Sequence, residues 1–99
     1  MKWPKWLRKE PPFHFSVRGR LELLVWEYAL AKQTMLIEVL DGDGKTGSPF
    51  LQAEKRRKEI EGQHGEELRA YLAPYVNRPR HLVTKNEWHR WYIADNFAA

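Results

Sequence analysis

The stretch RGRLELLVWEYALAKQTMLIEVL, from Arg18 to Leu40, decides the fold. Its polar residues Arg20, Glu27 and Thr34 recur every seven positions, and Glu38 follows four further on. That spacing marks one narrow wet stripe on a helix. Leu21, Leu24, Tyr28, Ala31 and Met35 form one apolar row, and Leu23, Trp26, Leu30 and Ile37 form another beside it. A helix apolar over most of its circumference has to be covered on more than one side. The sequence therefore predicts an all-α domain around a central helix over residues 18–40, ~34 Å long at 1.5 Å per residue. Trp26, in the most apolar part of that helix, is expected to be a buried core ring.

Before this helix lies a different kind of sequence. Residues 1–17 hold Pro4, Pro11 and Pro12, which limit any helix there to a short piece. The rings Trp3, Trp6, Phe13 and Phe15 alternate with lysine, arginine and proline, and FHFSV suits an extended segment. The chain thus divides into a basic aromatic arm, residues 1–17, and a single helical domain, residues 18–99. The rings either pin the arm to the domain or, with Lys2, Lys5, Arg8 and Lys9 beside Trp3 and Trp6, meet a partner directly.

After the central helix, DGDGKTGSP (Asp41 to Pro49) reads as a helix-to-helix turn. It is not a phosphate loop, because Val39 stands where the first glycine is needed. Nor is it a calcium loop, because Lys45 and Gln52 occupy ligand positions. A second helix is expected from Pro49 to Glu61, with a thin apolar face of Phe50, Leu51, Ala53 and Ile60. Its cluster Lys55, Arg56, Arg57 and Lys58 has acids four residues away, which suits a solvated, self-paired face. Gly62 and Gly65 are expected to break it, at about 1 kcal/mol each relative to alanine. A third helix would follow from Glu66 to Ala73, and then an exposed basic link, RPRH. The last helix has capping-box spacing in Thr84 and Glu87, and Trp88, Trp91 and Tyr92 share one face. That face either covers the central helix or binds a partner, with Arg78, Arg80, His81 and Arg90 close by.

Charge and composition narrow the function classes. The 99 residues carry a net charge of +4 and no cysteine, so thiolate chemistry and disulfides are excluded. Residues 1–20 have six basic side chains against Glu10, a local charge of +5, whereas residues 21–47 have five acids against two lysines, a charge of −3. No apolar run approaches a membrane span, and a cytoplasmic protein is expected. His14, His64, His81 and His89 lack the spacing of paired metal ligands, and Ser16 and Ser48 lack a nucleophile's context, so neither an enzyme nor a cofactor is expected. The leading expectation is a binding protein that docks on a larger protein as adaptor, accessory subunit or inhibitor. The alternative is a nucleic-acid-binding protein using the arm and the 78–90 region. The candidate contact residues for either are Lys2, Trp3, Lys5, Trp6, Arg8, Lys9, Arg78, Arg80, His81, Trp88, Arg90 and Trp91.

Overall fold

The apolar stretch does form one unbroken helix. In the computed structural model, which describes residues 17–98, α1 runs Val17–Asp41. A short loop holding the 3-10 turn Gly44–Thr46 reverses the chain into α2, Ser48–Leu72. Gly44, at φ 74°, takes the left-handed backbone that lets this loop turn without a Cβ clash. Two 3-10 turns, Ala73–Tyr75 and Arg80–Leu82, lead to the short helix α3, Trp88–Ala94, and a last 3-10 turn, Asp95–Phe97. The described residues contain no strand.

α1 and α2 are an antiparallel pair. Arg20 bonds Glu67 near the end of α2 and Glu27 bonds Arg56 nearer its start, so partners descend along α2 as they rise along α1. Half of the expected wet stripe thus faces α2 as an ion-paired seam rather than open solvent. The same seam corrects the reading of the basic cluster. Arg57 does pair with Glu61 at 3.4 Å, Lys58 with Glu54 at 3.9 Å and Arg56 with Glu59 at 3.2 Å, but Arg56 also reaches across to Glu27 of α1.

Two expectations about the helices fail. The helices around α1 are not all shorter, since α2 has the same 25 residues. Nor is α2 broken at its glycines. Ile60, Leu68 and Leu72, on either side of them, are fully buried. At ~1.5–3 kcal/mol for each buried side chain, that burial outweighs about 1 kcal/mol for each helical glycine. A Cβ added at Gly62 or Gly65 meets no atom within 4 Å. Gly62→Ala and Gly65→Ala are each expected to stabilise the protein by about 0.4–1 kcal/mol in urea unfolding. A loss of stability would show that the helix needs the glycines.

The core lies between the first half of α1, the second half of α2, and α3. Leu21, Leu24, Val25, Tyr28 and Ala29 pack with Ile60, Leu68, Leu72, Ile93, Ala94 and Phe97. The Tyr28 ring leans on Phe97 at 4.8 Å. Its hydroxyl donates to the Glu61 carboxylate, and burial together with that neighbour pushes its pKa up. Trp26 is not a core ring. It is only half-buried and lies flat on His89, with ring centroids 3.7 Å apart at 11°. The second apolar row follows suit, since Leu23 and Leu30 are half-buried and Ile37 is exposed. The capping box forms in part. The Glu87 carboxylate accepts from the Thr84 N–H at 3.1 Å and from its hydroxyl at 2.8 Å, and regular helix begins only at Trp88.

Candidate functional site

Two features stand out once the helices are in place: a polar clamp at one end of the helix pair and a bare apolar surface at the other. The clamp centres on Glu22. Its carboxylate accepts from the Tyr71 hydroxyl on α2, from His89 Nε2 on α3, and from Arg90 Nε, 3.1 Å from both oxygens. An ionised carboxylate only accepts, so Nε2 carries the proton. Burial alone would raise the pKa of Glu22, but the hydrogen bonds from His89, Tyr71 and Arg90 bring it down from 4.5 to about 2. Arg90 Nη1 also donates to Tyr75 Oη at 2.9 Å, and Tyr75 donates to Glu87 at 3.2 Å. All three helices meet at this one carboxylate. It is largely enclosed: the Glu22 side chain is 18% exposed, and His89 is 4% exposed and stacked beneath Trp26. Its contacts tie the three helices together.

The other end is left uncovered for a geometric reason. Val25, Ala29, Lys32, Leu36 and Leu40 follow one another on α1 at spacings of three and four, and so form one stripe. Val25 and Ala29 are buried in the cluster that holds Ile93, Ala94 and Phe97. Lys32 closes that covered part, donating to the Tyr92 carbonyl at 2.9 Å and to Asn96 Oδ1 at 3.0 Å. Beyond it α3 has ended, having only seven residues, ~10 Å of helix, against 25 in α1. The stripe continues bare. Leu36 is 52% exposed, Ile37 51%, Val39 47% and Leu40 72%, with Leu51 of α2 at 50%. Clefts of about 440 and 480 Å3 flank this tip, one beside Leu30, Ile37 and Pro49, the other beside Met35, Leu36 and Phe50. The expectation that α1 is covered on more than one side along its length is therefore wrong for its last turns.

Acids surround the bare surface. Residues 33–54 hold Glu38, Asp41, Asp43 and Glu54 against Lys45 alone, a net charge of −3. α1 ends there with no basic residue in its last turn, so the negative end of its dipole adds to the same field. An apolar surface with an acidic rim suits a segment that brings apolar and basic side chains together.

The predicted contact residues fall in three places. Lys2, Trp3, Lys5, Trp6, Arg8 and Lys9 lie outside the described residues, as does the FHFS portion of the arm. Arg78, Arg90 and Trp91 come together around Tyr75: Trp91 Nε1 donates to the Arg78 carbonyl at 2.8 Å, and both guanidinium groups lie over the Tyr75 ring. Arg80 and His81 are exposed on a 3-10 turn, and Trp88, 37% exposed, stacks on Tyr92 at 4.7 Å. The apolar tip was missed by sequence reasoning. Its signal was the mismatch between MLIEVL on α1 and the thin apolar face of the facing half of α2. No described helix is long and apolar enough to cross a membrane. No protein-family model matches the chain, and comparison with curated proteins and with solved structures finds no significant match.

Proposed function

We propose that this is a non-enzymatic binding protein that docks on a larger protein as adaptor, accessory subunit or inhibitor. The observation that carries the reading is the bare, acid-rimmed apolar tip of the α1–α2 hairpin. The occupant it suits is a helical segment of the partner with leucine-like and lysine-like side chains interleaved. Nucleic acid ranks second. Arg20, Arg56, Arg57, Arg78 and Arg90 are each engaged by a carboxylate, which leaves fewer cations to neutralise phosphates.

The test uses two synthetic amphipathic peptides, one of leucine and lysine at helical spacing, the other with glutamate in place of lysine. The basic peptide is expected to shift the amide resonances of Leu36, Leu40 and Leu51, and the acidic one to leave them unmoved. The double variant Leu36→Glu and Leu40→Glu should abolish those shifts, yet change stability by only about 0.5 kcal/mol per site, since both residues are exposed. Equal binding of both peptides, or shifts confined to the Trp88 end, would sink the tip as the docking site. Affinity for generic DNA or RNA that persists at physiological salt would put the nucleic-acid reading first.

A further inference from the structure

We infer that the tip also accepts a second copy of this chain: the exposed basic segment at residues 80–88 of one molecule seats on the acid-rimmed tip of the next, head to tail. The inference rests on the tip being a docking surface and names one occupant for it, the chain itself.

The matching segment lies between α2 and α3. Leu82 is 55% exposed and Trp88 37%, and Arg80 and Lys85 between and beside them are exposed as well. Arg78 and Arg90 nearby are held by Glu87 and Glu22, but no described carboxylate pairs with Arg80 or Lys85. Residues 78–90 hold Arg78, Arg80, Lys85 and Arg90 against Glu87, a net charge of +3, to meet −3 over residues 33–54. Apolar and basic side chains thus stand together, the combination the tip suits. Two tips facing each other would instead set −3 against −3.

Position makes the contact intermolecular. α3 runs beside α1 in the same direction, since His89 meets Glu22 and Asn96 meets Lys32. Trp91 Nε1 donates to the Arg78 carbonyl and so ties the link before residue 80 to the start of α3. The basic segment therefore sits at the Glu22 end, and Leu36 lies 14 residues beyond Glu22, ~21 Å along α1. A chain cannot seat its own tip on its own basic segment. Because the two surfaces differ, a pair leaves one tip and one basic segment open, and further copies add to them. The apolar parts are small, five exposed side chains against two, which places the contact among transient ones below ~1,200 Å2 in total.

Two double variants at exposed positions separate the halves of the contact. Leu36→Glu with Leu40→Glu spoils the tip, and Arg80→Glu with Lys85→Glu spoils the basic segment. Helical circular dichroism checks that both fold, and sedimentation velocity of the full chain from micromolar to millimolar concentration reads the assembly. Wild type is expected to grow past the dimer as concentration rises, and each variant alone to stay monomeric. An equimolar mixture of the two variants should form a dimer and stop there, since one supplies an intact tip and the other an intact basic segment. Association that survives Arg80→Glu with Lys85→Glu, or a wild type that is monomeric throughout, would overturn the inference. If the basic peptide binds the tip of a wild type that stays monomeric, docking on a larger protein stands and self-association falls. If the mixture dimerises and the peptide does not bind, self-association stands and the basic helical partner falls.

Discussion

Replacing Glu22 by alanine is expected to lower unfolding stability by ~2–4 kcal/mol, below the 3–5 kcal/mol typical of a fully buried pair broken on one side. The discount reflects its position, since the Glu22 side chain retains 18% exposure. The loss has three sources: the Tyr71 hydroxyl, His89 Nε2 and Arg90 Nε all surrender their acceptor at once. Glu22→Gln keeps the shape and one carbonyl acceptor, so it should fall between wild type and alanine. The same site governs acid stability. A carboxyl held at about 2 when folded and near 4.5 when unfolded contributes its full stabilisation above pH 4.5 and loses it as the pH falls towards 2. Wild type should therefore weaken steeply across that window, and Glu22→Ala should weaken much less. Parallel acid limbs for the two proteins in chemical denaturation would show that the charge at Glu22 is not what holds the clamp.

Ile60→Ala should be comparably damaging, at about 3–5 kcal/mol. Ile60 has no exposed surface and immediately precedes Glu61, the partner of Tyr28, in the middle of α2. Neighbouring walls belong to three helices that are themselves tied by the Glu22 clamp, so they have little freedom to collapse into the void. Leu51→Ala on the same helix provides the contrast. Half-exposed at the tip, it should change the urea midpoint little. A similar loss at both positions would mean that the tip is packed as tightly as the centre.

Those contrasts also mark how far the sequence could be read. Of the row Leu21, Leu24, Tyr28, Ala31 and Met35, the first four are buried as their spacing implied and Met35 is only partly so. Helix geometry fixes the face but not how far along it is covered. The break at Gly62 and Gly65 was a local inference, and it failed because Leu68 and Leu72 are buried in a cluster with α1 and α3 residues more than twenty positions away. Nothing in the sequence around Glu22 marks it, for the same reason: His89 and Arg90 stand 67 and 68 residues further on. No window of sequence holds both. Trp26 shows the reverse error, since apolar neighbours in sequence do not reveal that its ring has a histidine to lie on.

The short third helix has a consequence for how the chain comes to be folded. In a hairpin the contacts nearest the loop close most cheaply, because the least chain entropy is lost. Here those contacts leave Leu36, Leu40 and Leu51 outside the core, although Phe50 and Ala53 are buried. The central cluster joins residues far apart, and its members Ile93, Ala94 and Phe97 follow both long helices in sequence. A ribosome releasing this polypeptide would deliver both long helices before the wall that holds them together. Zippering from the turn gains little, and cooperative closure waits for the final segment.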